Sequence, residues 1–355
     1  MDKKSAIFII VSFLILIVMF HFIGIENIID ALKTANLGLI ALAIGIQIFT
    51  YFLYTLRWKL VNDSVNIKTS FRSLLPMMMV GLAVNNITPS GRGGGEPVRA
   101  YILSRDAGYD LKDTFAGVVA DRVLDTFPFI VLAAITIVAM LLYFEIPTWL
   151  VVVLVLSVIG ILVVLGILVY LCINPGFGSR LEKFIFRIVN RFYKKSSEDL
   201  EKSIHDNIFG FQKTMSMLIL NKRLLYYTIP LSFVIWIFEI IRVYLVFMSF
   251  GANVSLITIG EVFIVASLVG MIPLLPGGLG AIDGVMIIFY SAAGISSSVS
   301  AAATVVERLI SFWMATIIGL VILPYYGSSV LDKVSASSSG EIEESINEET
   351  DDIDK

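Results

Sequence analysis

Polar positions in this chain are confined to short islands between long apolar runs. Six windows, near 5–25, 37–58, 117–143, 149–172, 225–250 and 301–323, are apolar over the length of about 20 residues that a helix needs to cross a bilayer. Shorter apolar segments at 74–87 and 97–112 flank one glycine-rich island, and segments at 257–275 and 284–295 flank another. The segment at 97–112 also carries Arg99, Arg105, Asp106 and Asp110, which no lipid-facing span tolerates. Each flanking pair predicts a re-entrant hairpin with its glycine tip shielded inside protein, because unpaired backbone cannot face hydrocarbon.

The two islands are related. Pro89-Ser90-Gly91-Arg92-Gly93-Gly94-Gly95-Glu96 returns 187 residues later as Pro276-Gly277-Gly278-Leu279-Gly280-Ala281-Ile282-Asp283. Downstream, Asp121-Arg122-Val123-Leu124 returns as Glu307-Arg308-Leu309-Ile310 at a spacing of 186, and upstream Arg57 finds Arg242 at 185. Three anchors in one order at nearly one spacing indicate a duplicated membrane unit, a signature of transporter-like folds.

Charge gives the orientation. Lys3, Lys4, Arg57, Lys59, Lys68, Arg72, Arg99, Arg105, Lys112 and the basic residues between Arg180 and Arg223 fall on one side of the threading, while Lys33 falls on the other. By the positive-inside rule both termini are cytoplasmic. The span ending at Arg57 then runs inward and its partner near Arg242 runs outward, so the two units are inverted and their tips approach each other near the midplane.

The expected fold is an all-α integral membrane protein, an inverted-topology repeat of about six full spans plus two re-entrant hairpins. The first repeat is 1–145, with its hairpin at 74–105. The second is 146–330, with a cytoplasmic amphipathic insertion at 180–223 and a hairpin at 257–295. In the insertion Leu181, Phe184, Ile185, Ile188, Val189 and Phe192 recur at helical spacing among basic residues. After a break at Ser196–Asp199, Ile204, Ile208, Phe211, Met215 and Leu218 draw a second stripe. A clamp on anionic headgroups and ordinary positive-inside anchoring explain the basic charge equally well.

Composition agrees with a bilayer: 57% of residues are hydrophobic, 15% are charged, and the mean hydropathy is +0.88. The net charge of −3 comes from the end of the chain, where residues 335–355 hold eight carboxylates against Lys355, leaving +4 on the rest. That tail, 331–355, is expected to be disordered. The apolar stretch after Asp2-Lys3-Lys4 lacks a small-residue cleavage pair and reads as an uncleaved first span. Cys172 stands alone, and His21 and His205 are outside any ligand spacing, so neither a disulfide framework nor a metal site is expected.

The glycines at 91, 93, 94 and 95, with Gly277, Gly278 and Gly280, allow backbone to approach a ligand closely. Amides there, beside the positive end of the following half-helix, suit a lipid phosphate. They equally suit a capping carboxylate, for which Glu96 before Pro97 and Asp283 are placed. Arg92 has no charged counterpart and is the candidate for touching a headgroup, with Asn85, Asn86, Thr88, Ser90 and Pro276 completing the tips. Asp121, Arg122, Asp125, Glu307 and Arg308 form a second set, ionisable groups in apolar spans that persist when paired toward a polar interior. Asp121 and Asp125 share a helix face, as do Glu239 and Arg242. Structural ion pairing accounts for these charges as well as ligand contact does.

Taken through Asn85-Asn86, Gly95-Glu96-Pro97, Asp121-Arg122-Val123-Leu124-Asp125, Pro276-Gly277-Gly278-Leu279-Gly280 and Glu307-Arg308, the chain resembles the lysylphosphatidylglycerol synthase transmembrane region family. That family includes the flippase half of the bacterial multiple peptide resistance factor. The resemblance runs from the first span to Pro324 and implies movement of a phospholipid or isoprenoid-linked lipid between leaflets of the cell membrane. Only the acidic tail follows the last span, so the transferase activity of two-part members is not carried over. The expected partners are membrane lipids, anionic ones included, with no nucleic acid and no cofactor. An intramembrane lipid-modifying transferase and a membrane scaffold are the rival readings, although no catalytic constellation beyond Asp121 with Asp125 offers itself.

Overall fold

A computed structural model describes residues 25–88, 94–143, 148–174, 176, 179–180, 186, 198–271 and 278–326. The helices are α1 Ile25–Lys33, α2 Leu37–Ser64, α3 Phe71–Ile87, α4 Gly95–Ala107, α5 Leu111–Tyr143 and α6 Thr148–Ile173. They continue as α7 Glu198–Leu220, α8 Lys222–Ser249, α9 Leu256–Gly270, α10 Ala281–Ala292 and α11 Ser297–Arg308, which runs on through a π turn at Leu309–Trp313 to Tyr326. Five of these, α2, α5, α6, α8 and α11, are long and apolar enough to cross a membrane. They fall on five of the six expected windows. The first window up to residue 24, Ser90, Gly91, Arg92, Gly93, Pro276, Gly277, most of the basic stretch at 181–197 and the acidic tail lie outside the described residues. Among the described residues there is no strand, and the chain is a multi-pass helical membrane protein.

Local chemistry at the helix boundaries recurs along the chain. Asn36 accepts from the amides of Gly38 and Leu39 at the start of α2, and Asn221, 185 residues on, accepts from Leu224 at the start of α8. Ser70 caps α3 through Ser73 N, and Ser255, again 185 on, caps α9 through Thr258 N. Each of these side chains satisfies a donor that the first helical turn leaves open. The left-handed positions Asn66 (φ 63°) and Gly108 (φ 72°) are matched by Gly251 (φ 71°) and Gly294 (φ 94°) at spacings of 185 and 186.

At the centre, α2 packs along α8. Asn36 N donates to Ser249 O, the Phe49 ring meets Phe238, Tyr54 donates to Glu239, and Arg57 donates to Ser232. From Asn36 to Arg57 on α2 the partner on α8 moves back from Ser249 to Ser232, so the two helices are antiparallel. Both are inside out relative to a soluble protein. On α2, Gln47, Thr50, Thr55 and Arg57 are buried, whereas Leu42, Ile48, Phe49 and Phe52 are exposed. In a lipid solvent this arrangement costs nothing on the apolar face, and polar groups are satisfied inside. Thr50 and Thr55 also bond the carbonyls of Ile46 and Tyr51 one turn back.

The short helices pair as α3 with α4 and α9 with α10. Backbone contact sets the first pairing: a Cβ on Gly95 would lie 2.0 Å from the Gly81 carbonyl oxygen. A second close crossing joins α3 to the far end of α11, where a Cβ on Gly319 would lie 2.2 Å from Met79 O and 2.5 Å from Ala83 Cβ. The stripe on α7 packs as the spacing predicts, with Met215 and Leu218 buried beside Val61, Ala116 and Leu124. Gln212 ties this helix to the carbonyls of Leu171 and Asn174 at the end of α6.

Because neither crossing has room for one methyl group, Gly319→Ala and Gly95→Ala should each destabilise the protein by about 1 to 3 kcal/mol through overpacking. Gly45→Ala, where nothing lies within 4 Å, should leave the midpoint of thermal unfolding in detergent unchanged.

Candidate functional site

The antiparallel pair α2 and α8 forms one side of a cavity of about 160 Å³. Its walls also include Asn85 and Asn86 of α3, Glu96 and Arg99 of α4, Asp121, Arg122 and Asp125 of α5, and Glu307 and Arg308 of α11. Five guanidinium groups and five carboxylates line it, so the charges balance. That balance is what allows ionised groups to persist within apolar helices.

The ion pairs follow the spacing seen at the helix caps. Arg57 Nε lies 2.7 Å from Asp121 Oδ1, and Arg242 Nη2, 185 residues on, lies 2.7 Å from Glu307 Oε1. All four side chains are almost fully buried. Each arginine also crosses to the opposite central helix: Arg57 donates to Ser232 Oγ at 3.1 Å, and Arg242 donates to Gln47 Oε1. Ser232 stands 185 residues after Gln47, so the two cross-bonds join corresponding positions. Between them Tyr54 Oη donates to Glu239 Oε1 at 3.2 Å, and these two residues are themselves 185 apart.

Further contacts complete the cluster. Arg99 reaches the other oxygen of Asp121 at 3.1 Å and lies 4.6 Å above the Trp58 ring. Arg57 Nη1 bonds Asp125 Oδ1 at 2.8 Å, and Arg242 also bonds Glu239. Asp121 therefore meets Arg57 and Arg99, while its neighbour Arg122 turns toward Glu96 and Asp125 at 3.9 and 3.7 Å. Adjacent residues on a helix point about 100° apart, so Asp121 and Arg122, like Glu307 and Arg308, serve different partners.

The two tips differ. Asp283 caps α10, with Oδ2 accepting from Gly280 N at 2.7 Å and Oδ1 lying 3.2 Å from Arg308 Nε. Glu96 does not cap α4 as the Glu-Pro pair suggests. The helix begins at Gly95, whose N–H donates to Asn85 Oδ1 at 2.6 Å, and Asn85 Nδ2 donates back to Glu96 Oε1 at 3.3 Å. Asn86 donates to the carbonyl of Phe312 and to Thr316 Oγ1, binding the end of α3 to the π turn after Arg308. A π turn shifts the carbonyl ladder by one residue and is frequent at functional sites. Gly94, Gly278 and Gly280 flank the tips, and Gly278 and Gly280 have positive φ. Arg57, Arg99, Gln47, Tyr54 and Ser232 were not among the residues that the motifs singled out for the site. The 185 spacing that links Gln47 to Ser232 and Tyr54 to Glu239 was the available signal.

The family described as "Lysylphosphatidylglycerol synthase TM region" matches residues 5–319. A UPF0104 membrane protein of Methanothermobacter thermautotrophicus is 49% identical over 334 residues, covering 94% of this chain and 99% of its own. UPF0104 membrane proteins of Methanocaldococcus jannaschii and Pyrococcus horikoshii are 33% and 26% identical, covering 90% and 89% of this chain and 94% and 95% of theirs.

Removing one member of a buried pair leaves an uncompensated charge, so Arg57→Met and Arg242→Met should each cost about 3 to 5 kcal/mol. Lys59→Ala breaks a partly exposed pair with Asp63 and should cost at most about 1 kcal/mol. Thermal unfolding of the three variants in one detergent measures the contrast.

Proposed function

The chain belongs to the lysylphosphatidylglycerol synthase TM region family, and from that premise we propose that it moves a phospholipid or isoprenoid-linked lipid between the leaflets of a cell membrane. The observation that carries this reading is a charge-lined cavity walled by helices whose outer faces are apolar. A volume of about 160 Å³ is ample for several waters. That accommodates part of a headgroup and excludes acyl or isoprenoid chains, which stay in the bilayer while the polar group passes. Asn85, Asn86, Glu96, Arg99 and Arg122 form the proposed wall of the path on the first tip.

In this reading the recurrence of caps, left-handed turns and ion pairs at 185–187 reflects an inverted repeat. The support is the antiparallel pairing of α2 with α8 and the reciprocal bonds across it. The pairs α3–α4 and α9–α10 are helices of 17, 13, 15 and 12 residues. All are shorter than a typical span of about 20 residues, as re-entrant hairpins entering from opposite faces require. Such hairpins bring substrate to the midplane in inverted-repeat transporters.

Protein reconstituted into liposomes with headgroup-labelled lipids should accelerate leaflet exchange over empty liposomes while the lipid stays chemically unchanged. A modified lipid would indicate a transferase, and no exchange of any tested lipid would remove the translocase reading. In a Cys172→Ser background, cysteines at Lys68 and at Ser297 should label from opposite sides of the membrane, with Lys68 cytoplasmic. Labelling from one side would overturn the inverted arrangement.

A further inference from the structure

The corresponding carboxylate–arginine sites at the two tips are unequal in a way that specifies a ligand. In the second half both oxygens of the tip carboxylate are engaged. Asp283 uses one oxygen on Gly280 N and the other on Arg308. Arg308 has only 9% of its side chain exposed, and its guanidinium lies 4.6 Å from the Phe312 ring centre. In the first half the same residue classes are left open. Arg122 is 32% exposed, its nearest carboxylate oxygens lie at 3.9 and 3.7 Å, and it makes no hydrogen bond among the described residues. Glu96 is about nine-tenths buried and lines the cavity, yet among the described residues its Oε2 has no hydrogen-bond partner.

A buried carboxylate oxygen without a donor is costly, and a guanidinium without an acceptor leaves a strong fork of donors unused. One ligand answers both needs: a phosphate for Arg122, joined to a group carrying an N–H or O–H for Glu96 Oε2. We infer that the first half holds a phosphodiester whose esterified alcohol bears a hydrogen-bond donor, and that the Asp283–Arg308 site of the second half is a structural latch. This rests on the reading of the cavity as a headgroup path and narrows its substrate class. Ethanolamine, serine, glycerol and inositol phosphodiesters qualify, whereas a choline phosphodiester offers the same phosphate and positive charge with no donor on its alcohol.

The test is calorimetric titration of the full chain in detergent with dihexanoyl-phosphatidylethanolamine, dihexanoyl-phosphatidylcholine and inorganic phosphate. The ethanolamine lipid should bind about tenfold more tightly than the choline lipid, the size expected for one well-made hydrogen bond to a charged group. Glu96→Gln should shrink that preference, and Arg122→Gln should weaken both lipids. Arg308→Gln should lower the unfolding temperature while the preference persists in the folded protein. Equal binding of the two lipids by the unaltered chain would overturn the inference, and that comparison decides even if the variants fail to fold. Inorganic phosphate binding as tightly as the ethanolamine lipid would also overturn it, by showing a free-anion site. Leaflet exchange measured on the same protein separates the two claims. A donor preference without exchange supports the site and removes the translocase, and exchange without a preference does the reverse.

Discussion

Burying a guanidinium in the apolar interior of a membrane protein requires a carboxylate at hydrogen-bonding distance, and the arrangement of this molecule follows from meeting that requirement at two related places. Arg57 on α2 must reach Asp121 on α5, and Arg242 on α8 must reach Glu307 on α11. With the partners fixed, the depth and rotation of four of the five membrane-length helices are fixed as well. A slide of one residue on any of them turns a charge by about 100° into lipid or into an apolar core. Arg99 extends the same constraint to the short helix α4 through the second oxygen of Asp121. Such pairs add little net stability compared with well-packed apolar residues of the same size, and their value lies in specifying position.

The elements of the fold were legible because each rests on a local property. An apolar run of about 20 residues has few alternatives to a spanning helix, and the runs ending at Ile87 and resuming at Leu256 are too short for that. The stripe Ile204, Ile208, Phe211, Met215 and Leu218 likewise gave the packed face of α7. Pairing inside the cavity was harder to read. Helical periodicity assigns a residue to a face but says nothing of depth or of which helix lies opposite, so Asp121 could not be matched to Arg57, 64 residues away. The cap at α4 failed for a related reason. Glu96-Pro97 satisfies the local rule, but Asn85 on the neighbouring helix takes the Gly95 amide, a tertiary contact outranking a local preference. Arg57 was visible as an anchor of the repeat, and its role became clear only when the central helices were placed together.

Correspondence at the 185–187 spacing is strictest in the scaffold and loosest in the cavity. Helix caps, left-handed turns and the two central ion pairs are matched. By contrast Tyr54 faces its counterpart Glu239, and Arg99 corresponds at the tip spacing of 187 to the apolar Met286. Identical sequences at that spacing would bring two like charges face to face wherever a charged residue meets its own counterpart. Two copies of Glu239 would repel there, whereas a tyrosine hydroxyl donates to the carboxylate. Divergence at the centre is thus a condition for closing a charged interface between matched units.

The bonds that hold each central arginine differ in strength. A guanidinium held by a bond to its own half and another to the opposite half, as Arg57 is by Asp121 and Ser232, resists separation of the halves chiefly through the weaker, neutral acceptor. Breaking Arg57–Ser232 costs about what an ordinary hydrogen bond costs, while breaking Arg57–Asp121 in low dielectric costs several times more. Motion that shears α2 against α8 therefore meets a lower resistance than motion that pulls α2 from α5, provided the carboxylate on each arginine travels with it. Arg242 departs from this symmetry, because Glu239 on its own helix reinforces it and Tyr54 crosses to that carboxylate. The bonds from Tyr54 to Glu239 and from Arg242 to Gln47 thus tie the central helices together at the carboxylate that also holds Arg242.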